Sequence, residues 1–283
     1  MCEKIRGARA IGAARPGAMR MFVFGLGYSA KRIAARLAGR GWAVEATGAD
    51  GNVDFADADA VRAALGKARA VLSSVPPAKE GGDPVLARYG AVLAGFGGWI
   101  GYLSSTGVYG DTGGAWVDES TPVGAGRRTA RSEADAAWLA LGARVFRLPG
   151  IYGPGRSALD RVRAGRAHRI DLSGQVFSRV HVDDIASGVA LGLDAPAGAY
   201  NLADDCPCGQ NEVIEKACAL LGAPLPPLQS MEEAGLSPMA RGFYAENRRV
   251  ANGKAKRVLG WQPRYPTYRE GLVACLQGED QPD

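Results

Sequence analysis

The stretch that decides the fold is Met21–Ala34, which reads MFVFGLGYSAKRIA. Its first four residues are apolar and predict a short buried strand, and its last residues begin an apolar pattern with the spacing of an amphipathic helix. Strand and helix are joined by a loop with small residues at its first, third and sixth positions, Gly25, Gly27 and Ala30. This order predicts the first strand–helix unit of a parallel sheet.

The pattern Gly25-x-Gly27-x-x-Ala30 is typical of a loop that binds the pyrophosphate of a dinucleotide when it follows a strand and opens a helix. The first glycine permits the tight turn, the second lets the backbone approach the phosphates, and the small third residue lets helix and strand pack closely. A plain tight turn is the alternative, since the chain has 40 glycines. The predicted cofactor contacts in this loop are Gly25, Leu26, Gly27, Tyr28, Ser29 and Ala30.

The chain beyond this unit alternates between apolar strands and amphipathic helices. Further strands are predicted at 41–44, 70–75, 99–104 and 145–148, and helices at 61–65, 85–93 and 130–141. This alternation predicts an α/β fold, a Rossmann-like doubly wound parallel sheet. After Gly155 the segments become short and are punctuated by glycine and proline, which indicates a smaller C-terminal substrate lobe.

The predicted organisation has three parts. A loose tail covers residues 1–19, a dinucleotide-binding domain covers 20–160, and the C-terminal lobe covers 161–283. Within that lobe, residues from about 175 to 203 are expected to return to the sheet.

Composition excludes several classes of protein. The 283 residues are 47% hydrophobic and 22% charged, which is ordinary for a globular chain. No apolar run approaches the roughly 20 residues that a bilayer span needs, so no membrane association is expected. The net charge is +5, but the basic residues are scattered, which argues against nucleic-acid binding. Five cysteines without framework spacing indicate a reducing cytoplasm, and with only two histidines no metal site is predicted.

The adenosine half of the cofactor is assigned to residues after the second and third strands. Asp50 lies 20 residues past Ala30 and can bind the ribose hydroxyls, which favours NAD over NADP, although a solvated loop position explains it equally well. The pair Asp54–Phe55 can receive the adenine ring; the alternative is helix capping, for which Asp57 or Asp59 is better placed. Further predicted cofactor contacts follow the third strand, at Ser74, Val75 and Pro76.

Segments later in the chain carry a family resemblance. They are Leu103–Gly110 (LSSTGVYG), Arg147–Gly155 (RLPGIYGPG) and His181–Asp184 (HVDD), followed by Asn201 in AYNL. In this order they resemble the extended short-chain dehydrogenase/reductases, the NAD-dependent epimerase/dehydratase group, over residues 21 to 275. The resemblance implies NAD or NADP as cofactor, a further cofactor contact at Pro149, and a role for Ser105 in binding the reacting oxygen.

The resemblance also implies a Tyr acid/base with a Lys four residues later, and here the sequence departs from the family. Arg127 and Arg131 occupy those positions, and no Tyr occurs between Tyr109 and Tyr152. Arginine remains protonated and cannot act as a general base. Arg131 is therefore expected to hold cofactor ribose or phosphate and Arg127 an acidic group of the substrate; two solvated side chains are the alternative. Tyr109 is the candidate phenol, with turn packing as its alternative role.

The resulting prediction is an NAD(P)-binding oxidoreductase or epimerase/dehydratase-like protein that lacks the usual Tyr-x-x-x-Lys pair and acts on a small, anionic substrate. The alternative is a catalytically silent dinucleotide-binding sensor or regulatory protein. A homodimer is expected through a face of small residues on the predicted helix at 130–141; burial under the protein's own C-terminal lobe would explain that face equally well. The residues of the face are Ala130, Ala134, Ala137 and Trp138.

Overall fold

A six-stranded sheet forms the centre of the fold in the computed structural model, which describes residues 17–78, 80–124 and 129–279. Its strands are β1 (Arg20–Phe24), β2 (Ala43–Ala46), β3 (Ala70–Ser73), β4 (Trp99–Ser105), β6 (Arg144–Leu148) and β10 (Gly198–Asn201). Their order is β10-β6-β4-β3-β1-β2, and β1 runs parallel to both β2 and β3. Strand β1 thus lies inside the sheet, and the later strands extend the sheet on both sides of it. This confirms the predicted doubly wound α/β fold.

Helices follow the strands as the sequence predicted. The helices that alternate with the sheet strands are α1 (Tyr28–Ala38), α2 (Ala58–Lys67), α3 (Pro84–Ala94), α4 (Thr129–Ala140) and α6 (Val182–Leu191). They form because apolar residues recur on one helical face, as in α1, where Ile33, Ala34 and Leu37 are fully buried. Residues 1–16 of the predicted tail lie outside the described residues, and β1 begins at Arg20.

The chain divides into two compact units, each built from several stretches of sequence. Unit 1 comprises described residues 17–104, 133–146 and 186–199, and unit 2 comprises 105–132, 147–185 and 200–279. The predicted domain limits stay a prediction, because a compact set of contacts is not the same as an independently folding domain.

Unit 1 contains a large aromatic core. Phe22, Phe24, Tyr89, Tyr102 and Trp138 are buried there, and the rings of Tyr102 and Trp138 stack with centroids 5.2 Å apart. Of the predicted dimer face, Ala134 and Trp138 pack into the core of their own unit, whereas Ala137 is exposed and Ala130 half-buried, so the homodimer stays a prediction.

Unit 2 has three two-stranded parallel ladders in place of a large sheet. They pair β5 (Trp116–Val117) with β12 (Arg249–Val250), β7 (Gly150–Tyr152) with β9 (Arg179–His181), and β8 (Arg169–Ile170) with β11 (Leu228–Gln229). The remaining helices are α5 (Ala158–Arg163), α7 (Gln210–Leu221), α8 (Pro238–Tyr244), α9 (Gly253–Leu259) and α10 (Tyr268–Glu279). Leu159, Ile214 and Leu272 from α5, α7 and α10 share a core.

Two absences hold for the described part of the chain. None of its helices is both long and apolar enough to cross a bilayer. It also contains no cluster of three or more His, Cys, Asp or Glu side chains arranged to hold a metal ion.

Candidate functional site

The glycine loop begins where β1 ends, and its first glycine is required by the fold itself. Gly25 has φ +82°, a conformation that side chains with a Cβ rarely adopt. A Cβ at Gly25 would also stand 2.9 Å from Cγ2 of Val75, which follows β3. The sequence-predicted Val75 therefore acts on the loop as a packing neighbour of Gly25.

Side chains at the ends of the neighbouring strands fix the loop. The Gly25 N–H donates to Thr47 Oγ1 at 3.1 Å, and the Leu26 N–H donates to the Thr47 carbonyl at 2.8 Å. On the other side the Ser74 hydroxyl donates to the Gly25 carbonyl. The loop is thus held at both edges, by β2 through Thr47 and by β3 through Ser74. The role of Thr47 was not predicted from the sequence. Its position directly after β2 was the one feature that could have indicated it.

The second glycine lies at the start of α1 and leaves that helix end open. Gly27 is the N-cap, with no side-chain cap and no acidic residue in the first turn of α1. A Cβ placed on Gly27 would meet no described atom within 4 Å. A helix N-terminus carries partial positive charge and N–H donors, so this end can hold an anion. Leu26 and Ala30 are buried, whereas Tyr28 and Ser29 are half-buried at the open end.

The residues assigned to the adenosine half belong to unit 1, and one of them, Asp50, contacts α1. Asp50 forms an ion pair with Lys31 of α1, with 2.7 Å between the carboxylate and the ammonium group, and both side chains are at least half exposed. The Asp54 carboxylate accepts the Ala56 N–H at 2.9 Å, and Asp57 is the residue that caps α2. Capping therefore does not account for Asp54.

Phe55 and the residues after Val75 complete the unit 1 group. The Phe55 ring is half-buried and meets Tyr89 edge to face, with centroids 5.4 Å apart. Pro76, one residue beyond Val75, is exposed.

A second group of predicted residues belongs to unit 2 and begins at Ser105, the last residue of β4. The Ser105 hydroxyl oxygen accepts the Gly107 N–H at 3.1 Å and so caps the short 3₁₀ helix Thr106–Tyr109. Ser105 is half-buried, and its hydroxyl proton has no acceptor among the described residues. Ser104, by contrast, is buried in unit 1 and donates to Asp135 at 2.6 Å. Ser105 is thus the serine of this pair that can donate to a ligand.

Tyr109 is placed in a buried hydrogen-bond network rather than at a reacting position. Its hydroxyl donates to Asn201 Oδ1 at 2.8 Å and accepts from Arg147 Nη1 at 3.0 Å. Burial raises the pKa of Tyr109 above its ordinary value, although the Arg147 guanidinium acts in the opposite direction. An acid/base catalyst near neutrality needs the reverse shift. These contacts favour the packing alternative for Tyr109, and its catalytic role stays a prediction.

Glu119 extends the same network. One of its carboxylate oxygens accepts the Asn201 N–H at 2.6 Å, and burial raises the pKa of this carboxyl. Asn201 also donates its side-chain amide to the Ala251 carbonyl at 3.1 Å. The network therefore ties Asn201, a residue of the family motif, to distant parts of unit 2.

Arg248 is a candidate that the sequence did not indicate. Its Nη1 donates to the Gly110 carbonyl at 2.7 Å and to Glu246 at 2.9 Å. Its Nη2 lies 3.9 Å from the position of a Cβ on Gly107, and that position is 3.3 Å from Ser105 Oγ. The Arg248 guanidinium and the Ser105 hydroxyl thus border the same space beside Gly107. Arg248 belongs to no sequence motif. Its position follows from the pairing of the next residues, strand β12, with β5.

The remaining predicted site residues are placed as follows. Arg127 lies outside the described residues. Arg131 is half-buried on α4, and Pro149 is half-buried between β6 and β7; both belong to unit 2. The structure therefore groups the loop, Asp50, Asp54 and Phe55 in unit 1, and Ser105 with Arg248 in unit 2.

Comparison with sequences of known proteins gives a partial match. No family model matches the chain. Over 140 residues it is 31% identical to the 3-diazoavenalumate denitrifying reductase of a Streptomyces species, and the match spans 45% of this chain and 45% of the reductase. The chain thus matches less than half of that relative's length.

Solved structures are similar over nearly the whole chain. A functionally unknown conserved protein from Silicibacter pomeroyi is 40% identical, with a TM-score of 0.82 over 92% of this chain and 99% of that one. The human epimerase family protein solved with NADPH is 19% identical, with a TM-score of 0.73 over 93% and 100%. The Thermus thermophilus UDP-glucose 4-epimerase solved with NAD is 21% identical, with a TM-score of 0.67 over 91% and 99%.

These likenesses confirm the fold that the sequence motifs implied. The Silicibacter pomeroyi protein is matched at 40% identity almost throughout, which places the two chains in one family. The less similar structures show the fold alone. The chain therefore belongs to the same family as the Silicibacter pomeroyi protein, and its fold is that of the NAD-dependent epimerases and dehydratases, the extended short-chain dehydrogenase/reductases.

Proposed function

We propose that the protein is an NAD(P)-dependent oxidoreductase that reduces a small anionic substrate. The observation that carries the proposal is the start of α1, where Gly27 offers no side chain, no cap and no Cβ to fill the space in front of the helix. The pyrophosphate of a dinucleotide fits a site of this chemistry, because backbone N–H groups and the helix dipole both favour an anion there.

The neighbouring residues suit the rest of the cofactor. Asp50 offers a carboxylate to the ribose hydroxyls, which supports NAD over NADP, and Asp54 with the exposed part of Phe55 suits an adenine ring. Arg131 is assigned to cofactor ribose or phosphate. When bound, the reduced nicotinamide supplies a hydride. The human and Thermus neighbours are solved with NADPH and NAD, and the Streptomyces relative is named a reductase.

The substrate side of the proposal rests on Ser105 and on two arginines. The Ser105 hydroxyl can donate a hydrogen bond to an oxygen of the substrate, since the Gly107 N–H already orients it. Arg248 and Arg127 are assigned to an acidic group such as a carboxylate, for which a guanidinium provides bidentate donors. These groups bind and polarise the substrate, and the proton that balances the hydride comes from solvent.

Calorimetric titration with NAD(H) and NADP(H) tests the cofactor site. Gly27→Ala should fold normally, because the added Cβ meets no described atom, yet it should weaken dinucleotide binding by about tenfold or more by blocking close backbone approach. Gly66→Ala is the matched control, since Gly66 is an exposed glycine of α2 with equally open space at its Cβ. Equal affinity in the two variants would mean that the loop is only a turn.

Turnover tests the role of Ser105. Once a carbonyl compound that the enzyme reduces is found, Ser105→Ala should keep cofactor affinity and lower turnover by roughly 10²–10³-fold, the scale for removing one donor to a developing oxyanion. Ser104→Ala serves as the comparison, because it removes a buried hydroxyl bonded to Asp135 and should act on stability. A Ser105→Ala enzyme with full activity would remove Ser105 from the mechanism.

The buried Tyr109 network favours a second candidate function, a dinucleotide-binding sensor without turnover. Tyr109 has a raised pKa and both neighbours of its hydroxyl are protein groups, which argues against Tyr109 as the missing phenol. A sensor would bind NAD(H) or NADP(H) through the Gly27 site and leave the cofactor unchanged across a panel of carbonyl compounds. Any cofactor oxidation that depends on substrate would decide for the enzyme.

A further inference from the structure

A cavity of about 340 Å³ lies entirely within unit 2. The loop between β8 and β9, the start of α7, the end of α8 and the first residue of β12 line it. Its volume is near the lower end of the roughly 300–1,000 Å³ typical of small-molecule sites. The cavity therefore suits a ligand of about one ring rather than a dinucleotide.

One part of the cavity is aromatic. The rings of Phe177 and Tyr244 meet edge to face, with centroids 5.4 Å apart and planes at 90°. Leu172, at the rim, leaves 40% of its surface exposed. Aromatic groups arranged edge to face favour a further ring against them, and a ligand at the rim would remove the leucine side chain from water.

Arg249 lines the cavity together with these rings. Arg249 donates one N–H to the Gly114 carbonyl, and among the described residues no carboxylate lies within ion-pair distance of it. The acidic side chain of the lining, Glu212, already accepts the Gly209 N–H at 3.0 Å. Arg179 lies behind the wall, where it bonds the Phe177 carbonyl and Gln210. The charged residues of the lining are thus Arg249 and Glu212, one of each sign, and Arg249 is the one that can bind an anion.

The walls of the cavity are held in place by side chains outside its charged part. The Asn247 side chain accepts the Val176 N–H at 3.2 Å and donates to the Gly174 carbonyl at 2.9 Å. Asn211 bonds both the N–H and the carbonyl of Ile170. A cavity with walls fixed in this way is formed before a ligand arrives, which lowers the entropic cost of binding.

We propose that this cavity binds an aromatic carboxylate, with its ring against Phe177 and Tyr244 and its carboxylate on Arg249. Planar, bidentate donors such as the guanidinium match a carboxylate, and the absence of a described acidic partner leaves Arg249 available for one. The inference concerns unit 2 alone and stands or falls independently of dinucleotide binding.

Ligand titrations on the full chain test the proposal with three probes of similar size. Benzoate has both the ring and the charge, benzamide has the ring without the charge, and cyclohexanecarboxylate has the charge without the aromatic ring. Calorimetry or ligand-observed NMR should show benzoate binding about tenfold more tightly than benzamide, the scale of a charged hydrogen bond, and also more tightly than cyclohexanecarboxylate.

Substitution of Arg249 should remove the preference for charge. In Arg249→Gln, benzoate and benzamide should bind equally weakly, whereas the control Arg257→Gln, an exposed arginine of α9 outside the cavity, should bind as the wild type does. Equal affinity of the wild type for benzoate and benzamide, or no binding of benzoate, would overturn the proposal. This probe comparison decides the question even if Arg249→Gln fails to fold. Cofactor titrations on the same samples report separately on the proposed function.

Discussion

Helices α1 and α3 both follow a strand of the same sheet, yet their first turns are built in opposite ways. At α3 the buried Asp83 accepts the Val85 and Leu86 N–H groups at 2.9 and 3.0 Å, so the helix start is closed by the protein's own carboxylate. At α1 the N-cap is Gly27, without a side chain and with open space beyond it. Where the protein closes a helix start it gains stability; where it leaves one open it keeps N–H donors for a ligand.

The difference between a capped and an uncapped helix start can be expressed as a free energy of unfolding. A side-chain cap contributes about 1 kcal/mol relative to alanine, and helix α2 obtains one from Asp57, which accepts the Ala60 N–H at 3.0 Å. The open start of α1 is thus exceptional among the first three helices of unit 1. We attribute the exception to function, since local rules are most often broken at binding sites.

The largest expected effect comes from giving α1 the kind of start that α2 and α3 have. Gly27→Asp places a carboxylate at an N-cap whose backbone is already extended, so the free energy of unfolding should rise by a few tenths of a kcal/mol. Dinucleotide binding should fall by about hundredfold or more, because the new charge repels the pyrophosphate and takes up its donors. Thermal unfolding and calorimetric titration measure the two effects. A variant that binds the cofactor normally would break the comparison.

Removing the cap of α3 should have the next largest effect, this time on stability alone. Asp83→Ala removes the cap and also leaves the buried Trp138 indole N–H without its acceptor at 2.8 Å. Together these should lower the free energy of unfolding by about 2–3 kcal/mol in urea denaturation. Asp57→Ala, which removes only an exposed cap, should lower it by about 1 kcal/mol. A similar loss in both variants would show that the Trp138 bond adds nothing.

The smallest expected effect concerns Gly25, the first glycine of the loop, compared with a glycine elsewhere in the chain. Gly25→Ala should destabilise the fold by about 1–2 kcal/mol through its positive φ, with a further loss from the contact with Val75. Gly41→Ala is the matched control, because Gly41 has the same φ of +82° but no atom within 4 Å of its Cβ. The difference between the two unfolding free energies isolates the close contacts with Val75 and with the Ser74 hydroxyl, which lies 3.2 Å from the added Cβ. If the two losses are equal, Val75 moves aside and Gly25 is required by its backbone alone.

Local features were predictable from the sequence because their causes are local. The strand, glycine loop and helix around Gly25 could be read from spacing, since turn geometry and helical periodicity act over a few residues. Asp57 as a helix cap followed from the same logic. Tyr109 and Trp138 could not be placed in this way, because their burial depends on partners distant in sequence, Asn201 and Asp83.

By itself, the sequence determined the doubly wound sheet, the order of its first elements and the position of the glycine loop. These depend on patterns that short segments carry regardless of their surroundings. Only the tertiary structure decided that Thr47 and Ser74 hold the loop, that Arg248 approaches the Ser105 turn, and that Arg249 lines a cavity with Tyr244. Contacts of this kind join residues far apart in the chain, and their geometry is set by the packing of whole elements, which no local pattern encodes.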